Sequence, residues 1–217
     1  MLVIYRVCPS IRTHAYGHDR PCAMDHPVTP PRQTLTPERW IDAATELLVD
    51  HGIDQVRVDV LARMLQVTRG SFYWHFRDRE DLLRGVLQAW RAHATEQLTR
   101  RLESAHEDPR EQLRDLLTLP RRGRAATRAA RIELAIRAWA RRDTMARAAV
   151  DEADSTRIGY IAQVFSALGF GIAEARQRAF MLYAQLIAES LLADHGSPTQ
   201  RQDRARFAER LFQQPLS

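Results

Sequence analysis

One segment without acidic residues, Val60–Arg77, limits the possible folds of this 217-residue chain more than any other feature. Its pattern predicts a short amphipathic helix, a tight turn at Gln66-Val67-Thr68 and a second short helix. The second helix brings hydroxyl, aromatic, imidazole and guanidinium groups together in one short run. A helix with this mixture of side chains can enter the major groove of DNA while neighbouring groups hold the phosphates.

The rest of the chain predicts an all-α fold, because strong helix formers dominate and no convincing run of alternating β-branched residues follows residue 35. Helix one is expected to begin at the N-cap Thr36, followed by Pro37, and to end at Gly52, which suits a left-handed C-cap. Asp78 is the expected N-cap of helix four, which continues to about residue 102. The other helices are predicted near 58–65, 69–76, 109–118, 125–141, 144–168, 171–194 and 199–213.

The pattern divides the chain into a proline-punctuated extension at 1–33, a helix-turn-helix domain at 34–83 and a longer helical bundle at 84–217. We expect the extension to be disordered, and Met24 offers an alternative start of the protein. The extension contains a loosely zinc-like spacing of Cys8, His14, His18 and Cys22. Because it has neither a CxxC knuckle nor a surrounding core, we expect no metal site there.

Charge is distributed unevenly along a chain whose net charge is +5 and whose 32 basic residues are all arginine. Helix one is acidic, whereas the segment after it is basic, with Arg63, Arg69, His75, Arg77 and Arg79. This distribution favours a site-specific DNA-binding protein over an indiscriminate polyanion binder. Only two cysteines are present, and no apolar run approaches the roughly 20 residues of a membrane span, so we expect a cytoplasmic protein without membrane contact.

The start of the second helix in this segment offers groups that can read DNA. Arg69 can donate two hydrogen bonds to a guanine, a contact worth about 1–3 kcal/mol of discrimination. Gly70 permits a close approach of the backbone to a phosphate or base edge, because it has no Cβ. The hydroxyl of Ser71 can contact either a base or a phosphate.

The aromatic side chains of the same helix are expected to divide between its two faces. Phe72 and Phe76 are the predicted buried anchors, since the apolar face of a helix spans little more than a third of its circumference. Tyr73 and His75 then lie on the outer face, where they can donate hydrogen bonds to phosphate oxygens. Trp74 suits either the rim of the groove or packing within the protein.

The run VTRGSFYWHFRDREDLL at 67–83, preceded by Leu61-Ala62, resembles the DNA-binding signature of the TetR family of bacterial transcriptional regulators. The resemblance is close over residues 36–83. Beyond them it rests on the number and length of the helices and on a tryptophan-containing helix at 133–143. It implies a helix-turn-helix domain joined by a long helix to a C-terminal bundle that binds an effector and forms the dimer.

The resemblance also implies roles for individual side chains. Thr68 belongs to the recognition helix together with Arg69, Ser71, Tyr73 and His75, and Arg79 matches a basic phosphate-binding residue at the start of helix four. Arg57 departs from the pattern, because many members place a Thr or Ser cap there. Either that helix end is looser, or the Arg57 side chain reaches a phosphate. The DNA-binding set is Arg57, Thr68, Arg69, Gly70, Ser71, Tyr73, Trp74, His75 and Arg79.

The C-terminal bundle at 84–217 contains residues suited to both functions that the resemblance implies. The large side chains available to line an effector cavity are Trp90, Trp139, Met145, Tyr160, Phe165 and Phe180, unless each is ordinary core. An apolar stripe on the helix near 171–194 is the predicted dimer interface; the alternative is that this stripe packs within its own subunit. The stripe consists of Ala175, Ala179, Leu182, Tyr183, Leu186, Ile187, Ser190 and Leu191.

The sequence therefore favours a ligand-responsive DNA-binding regulator, with repression as its expected action. A homodimer would bind a palindromic double-stranded operator and be released by an unidentified small-molecule effector. The alternative is an α-helical small-molecule-binding protein or enzyme with a vestigial DNA-binding domain. We expect no enzyme, no cofactor and no metal, because the chain has no HExxH motif, no Ser-His-Asp order and no glycine-rich phosphate loop.

Overall fold

Nine α-helices lie wholly within the residues that the computed structural model describes, namely 35–96, 100, 107–119, 123–192 and 195–214. In chain order they are α1 (Pro37–His51), α2 (Val58–Met64), α3 (Arg69–Phe72), α4 (Arg79–Arg91), α5 (Pro109–Thr118), α6 (Gly123–Ala140), α7 (Thr144–Ala167), α8 (Ile172–Leu191) and α9 (Pro198–Gln213). No strand occurs in these ranges, and the all-α prediction is confirmed. The predicted disordered extension at 1–33 and its cysteine and histidine residues lie outside the described part of the chain.

The first helix begins at its predicted N-cap and ends at the predicted glycine. Thr36 is the N-cap with extended backbone, and Pro37 occupies the first turn. At the other end, Gly52 has φ +80° and ψ 171°, and its N–H donates to the Leu48 carbonyl at 3.0 Å. The positive φ explains the glycine, although this ψ differs from that of the left-handed helical cap we expected. A 3₁₀ turn at Ile53–Gln55 then leads to α2.

The turn between α2 and α3 depends on one unusual backbone conformation. Gln66 has φ +57°, and the Val67 N–H donates to the Ala62 carbonyl at 2.9 Å. Helix α3 is shorter than predicted, because hydrogen bonds between residues three apart interrupt the regular helical pattern after Phe72. The His75 N–H, for example, donates to the Phe72 carbonyl at 3.0 Å.

Helix α4 connects this motif to the rest of the chain. Asp78 caps it as predicted, with its carboxylate accepting from the Asp81 N–H at 2.8 Å. The α-helix ends at Arg91 and continues as a π turn at Ala92–Glu96, whereas we expected regular helix to about 102. The bounds of α5 to α9 differ from the predicted ones by at most three residues.

Two hydrophobic cores organise the described residues. The first joins α1–α4 to α6 and the first half of α7, and includes Trp40, Phe72 and Ile136. The second joins α5, the later part of α7, α8 and α9, and includes Phe165 and Leu182. The first core spans the predicted boundary at residues 83–84, and that boundary remains a prediction. None of the described helices combines the length and hydropathy that a membrane crossing requires.

The acidic side of α1 faces the arginines that follow in the bundle. Arg128 of α6 contacts Glu46, and Arg131 donates to Asp50 at 2.8 Å. Arg142 reaches Asp54 of the 3₁₀ turn at 3.4 Å. These exposed pairs add little stability, but they give Glu46, Asp50 and Asp54 partners among the arginines of the bundle.

Candidate nucleic-acid interface

Two buried phenylalanines orient the motif at 68–75. Phe72 is fully buried and meets the Trp40 ring edge-on, with the ring centroids 5.4 Å apart. Phe76 is also buried and stacks on Phe72 at 5.4 Å. Because these anchors point inward, the side chains between and before them point outward. We call the side chains of residues 68–75 other than Phe72 the recognition surface.

The aromatic groups of the recognition surface face solvent to different degrees. Trp74 is 86% exposed, so it does not pack within the subunit as one of our two expectations allowed. Tyr73 is 57% exposed, and its ring rests edge-on against Phe72 at 5.2 Å, which leaves the hydroxyl outermost. His75 is half-buried beside Phe76. The recognition surface therefore presents a rigid aromatic edge with polar tips.

The start of α3 is exposed, and its side chains make few contacts within the protein. The Thr68 hydroxyl does not cap α3; it lies 3.3 Å from the Ser71 hydroxyl. Arg69 is exposed and has no ion pair within the described ranges. A Cβ added at Gly70 would meet only the Thr68 hydroxyl, at an ordinary contact distance of 3.6 Å. The packing of the protein itself therefore does not require glycine at position 70.

Arg57 lies at the start of α2 and is exposed. Its guanidinium binds Asp59 through two hydrogen bonds, at 3.2 and 3.1 Å. Desolvation opposes the effect, but the hydrogen bond and charge of Arg57 hold the pKa of Asp59 below its ordinary value. Arg57 makes no side-chain cap, as predicted, and its proposed phosphate contact competes with this carboxylate.

Arg79 is committed to the protein's own backbone. Its Nε donates to the Val56 carbonyl at 2.5 Å, and one terminal nitrogen donates to the Ile53 carbonyl at 2.7 Å. These carbonyls belong to the segment that joins α1 to α2. Two of the three guanidinium nitrogens thus hold that segment against α4, and the phosphate contact expected of Arg79 stays a prediction. No signal in the local sequence indicates the long-range contact with these carbonyls.

The structure does not bring the predicted effector-binding residues together. Trp90, Trp139 and Met145 belong to the first core, whereas Tyr160 and Phe165 belong to the second. Phe180 is 58% exposed, so it cannot line an interior cavity of the subunit. Two surface clefts, of about 340 and 300 Å³, lie between α5 and α9 and between α1 and α6, and none of the six residues lines either.

The predicted dimer stripe on α8 is divided in the same way. Ala175, Ala179 and Leu182 are buried in the subunit's own core and offer no surface to a partner, which removes them from the predicted interface. Tyr183, Leu186, Ile187 and Ser190 are half-buried, and Leu191 is exposed. The large exposed apolar side chains of α8 and α9 are instead Ile172, Phe180, Met181, Leu191, Phe207 and Leu211.

Sequence reasoning missed a cluster of polar side chains that joins α6, α7 and α8. This ionic junction consists of Glu133, Arg137, Asp154, Arg157 and Tyr183. Arg137 donates to Asp154 at 3.0 Å and to Glu133 at 2.8 Å. Arg157 donates to both oxygens of Glu133 at 3.1 Å and to Tyr183 at 3.0 Å. Only the spacing of Glu133 and Arg137, four residues apart on one helix, offered a signal.

The protonation states within the ionic junction follow from burial and charge. Burial, assisted by a 2.6 Å hydrogen bond donated to Asp154, raises the pKa of Tyr183 to about 12. Burial would also raise the pKa of Asp154, but the hydrogen bonds from Arg137 and Tyr183 hold that pKa below its ordinary value. At neutral pH Asp154 is therefore a carboxylate and Tyr183 a neutral phenol.

Comparison with known proteins identifies the N-terminal motif. Residues 41–86 match the family described as bacterial regulatory proteins, tetR family. The HTH-type transcriptional regulator SrpR of Pseudomonas putida is 44% identical over 61 residues, which are 28% of this chain and 28% of SrpR. The matched segment thus spans little more than a quarter of that relative's length.

Solved structures resemble this chain over a larger part of its length. A transcriptional regulator from Rhodococcus sp. Rha1 superposes with a TM-score of 0.64 at 22% identity, covering 82% of this chain and 94% of its own. A putative transcriptional regulator from Saccharomonospora viridis, in complex with choline, gives 0.64 at 20% identity over 81% and 94%. These likenesses concern the fold. Residues 41–86 therefore contain a helix-turn-helix segment of the kind found in the tetR family, and the larger part of the chain shares its fold with these solved structures.

Proposed function

We propose that this protein is a ligand-responsive transcriptional repressor that binds a palindromic operator as a homodimer and is released by a small-molecule effector. The observation that carries the proposal is the recognition surface: Arg69, Tyr73 and Trp74 project from a motif anchored by two buried phenylalanines. Its place in a segment that matches the tetR family supports the same function. Such a regulator acts where the DNA is, in the cytoplasm.

Within the proposal each exposed group has a role in binding the operator. Arg69 reads a guanine through two hydrogen bonds, and Gly70 lets the backbone lie close to the DNA. Tyr73 and His75 donate to phosphate oxygens, with Thr68 and Ser71 contacting the backbone or a base edge. Trp74 packs against the sugar-phosphate rim, and Arg57 exchanges its carboxylate partner for a phosphate. Arg79 supports the motif from behind and reaches DNA only through its remaining nitrogen.

A dimer is part of the proposal, because a short recognition helix reads few base pairs and two half-sites supply the missing affinity. The exposed apolar side chains of α8 and α9 are the surface best suited to a second copy. Phe180, Met181 and Leu191 of α8, like Phe207 and Leu211 of α9, are each more than half exposed. Exposed apolar groups of this size are characteristic of helix–helix contacts between subunits.

For the effector we propose only its class, a small molecule that binds within residues 84–217. Choline bound to the Saccharomonospora viridis regulator shows that a relative with this fold accepts a small ligand. Apart from Phe180, the predicted lining residues remain candidates, provided that the two cores separate around a ligand. An effector that binds the released state a hundredfold more tightly shifts the equilibrium by about 2.7 kcal/mol.

Selection of bound sequences from a random DNA pool tests the proposal. The wild type should enrich a palindrome whose half-site centres lie about 10–10.5 base pairs, or a multiple of that spacing, apart. A double variant, Arg69→Ala with Tyr73→Ala, should enrich nothing. Arg147→Ala, which removes an exposed arginine from α7, should enrich the wild-type sequence. If the folded wild type enriches no sequence, the repressor assignment is refuted and a small-molecule-binding protein with a vestigial DNA-binding domain becomes the better account.

A further inference from the structure

The C-terminal end of α4 is tied to the ionic junction by its last large side chain. Trp90 is buried, and its indole N–H donates to Glu133 Oε2 at 3.1 Å. The guanidinium of Arg157 lies 5.4 Å from the centre of the Trp90 ring, in a cation–π contact. Glu133 therefore receives hydrogen bonds from α4, from Arg137 on its own helix and from Arg157 on α7.

The π turn that follows α4 leads to the same pair of residues. Thr95 in this turn is only 4% exposed, and its hydroxyl accepts from Arg157 Nε at 3.0 Å. The connections through Trp90 and Thr95 therefore converge on the Glu133–Arg157 ion pair, while Arg91, the last residue of α4, pairs separately with Glu152 of α7. A π turn places its side chains differently from an α-helical turn, and such turns often occur at functional positions.

The other end of α4 is continuous with the recognition surface. The helix begins at Arg79, shortly after Phe76, and its Leu82 and Val86 belong to the same core as Phe72. Helix α4 is 13 residues long, or about 20 Å. A packed helix of this length connects the position of Trp90 at one end to the position of the recognition surface at the other.

Stability alone does not account for the ionic junction. Half-buried ion pairs lose much of their attraction to desolvation, and apolar side chains of similar volume often replace them without loss of stability. Hydrogen bonds have a fixed direction, so they specify one arrangement of the helices that they join, which apolar packing does not. In the junction those helices are α6, α7 and α8, with α4 attached through Trp90 and the π turn.

We propose that Glu133 is a positioning residue for DNA binding. Acting through the indole of Trp90, it fixes the tilt of α4 and hence the separation of the two recognition surfaces in the dimer. The inference rests on the proposed repressor function. Loss of the hydrogen bond between Glu133 and Trp90 loosens α4, so that the separation of the two surfaces is no longer held at one value.

Three variants and one control test this inference. Glu133→Gln keeps the shape of the side chain and removes its charge. Trp90→Phe keeps an aromatic ring and removes only the N–H donor, and the double variant combines the two changes. Asp151→Asn, which removes an exposed partner of Arg147 on α7, is the control. All are first compared with the wild type by circular dichroism to verify folding, and Trp90→Phe serves alone if Glu133→Gln fails to fold.

The rate of amide hydrogen exchange in residues 69–91 measures, without DNA, how firmly α4 is held. Each single variant should exchange about tenfold faster there than the wild type, the scale expected for one hydrogen bond to a charged group. The double variant should exchange no faster than the quicker single one, because Glu133→Gln acts on α4 by weakening the same bond that Trp90→Phe removes. Wild-type exchange in both single variants, or additive effects in the double variant, would overturn the inference.

Operators whose half-site spacing is lengthened or shortened by one base pair supply the second readout. The wild type should bind the selected spacing best, whereas Glu133→Gln and Trp90→Phe should bind the three spacings with more equal affinity. A loss of folded protein would instead lower all three affinities by the same factor, and that result would overturn the positioning role. If the wild type binds no DNA, the proposed function fails, while the exchange measurement still decides whether Glu133 restrains α4.

Discussion

Replacement of Arg79 by alanine distinguishes its role in the structure from the phosphate contact that the family resemblance implies. Arg79 donates to the Val56 and Ile53 carbonyls at 2.5 and 2.7 Å, and both of these residues are buried. A lost hydrogen bond to a charged donor costs about 1.5–3 kcal/mol, and the half-buried position of Arg79 favours the lower end. Two such bonds give a destabilisation of about 3 kcal/mol.

For a chain of this length, about 3 kcal/mol lowers Tm by about 6–12 °C. We therefore expect Arg79→Ala to lower Tm by that amount in a thermal scan followed by circular dichroism. In the protein that stays folded at low temperature, the slope of log K against log salt should fall by at most about one, because Arg79 can contribute no more than one phosphate contact.

Arg77→Ala is the matched control for this prediction. Arg77 is exposed, and its closest carboxylate is Asp81 at 3.9 Å, so its removal should change stability by less than about 0.5 kcal/mol. The reasoning is refuted if Arg79→Ala melts like the wild type while the slope of log K against log salt falls by about one. That outcome would mean that Arg79 binds a phosphate and does not stabilise the fold.

Three further variants test other parts of the account. Gly70→Ala should keep or slightly raise Tm, since its Cβ meets only Thr68, and should weaken operator binding at least about tenfold; unchanged binding would mean that the DNA backbone does not approach this position. Phe180→Glu should sediment as a monomer at concentrations where the wild type is a dimer, and a dimeric variant would exclude this face of α8 from the interface. The depressed pKa of Asp154 stabilises the folded state above pH about 4, and that stabilisation is lost as pH falls through the folded-state pKa. Asp154→Asn should therefore make the stability, followed by circular dichroism, depend less on pH in the acid range, whereas Asp151→Asn should leave this pH dependence unchanged.

The sequence predicted most of the helices because their signals are local. Pro37, Gly52 and Asp78 act on neighbouring backbone groups, and periodic apolar residues identify the faces that are buried. The short α3 and the positive φ of Gln66 escaped prediction, since they depend on how the turn fits between two packed helices. Propensity alone gives no reason for Gln at such a position.

Contacts between distant parts of the chain were beyond sequence reasoning. Arg79 and its acceptor Ile53 lie 26 residues apart, and Trp90 and Glu133 lie 43 residues apart. Arg178 shows the same limit, since it is buried and donates to the Phe212 carbonyl at 3.1 Å. From the sequence alone, a helical arginine is predicted to be exposed to solvent, because the acceptor that the fold brings to it is distant in the chain.

The dimer stripe illustrates a different limit. Helix α8 carries apolar residues around most of its circumference, with Ala175 and Leu182 on one side and Phe180 and Leu191 on another. Periodicity detects an apolar face but does not say whether it meets the same subunit or another one. Only the position of α7 and α9 against α8 shows which side is already occupied.

The affinity profile of Arg69→Ala tests the central claim most directly, namely that the recognition surface lies in the DNA groove. Equilibrium binding is measured for the selected operator and for each single base-pair substitution in one half-site, at one fixed salt concentration. We predict that Arg69→Ala loses discrimination at one G·C pair in each half-site, by about 1–3 kcal/mol, and keeps the wild-type preference elsewhere. A profile identical to that of the wild type at every position would contradict the account.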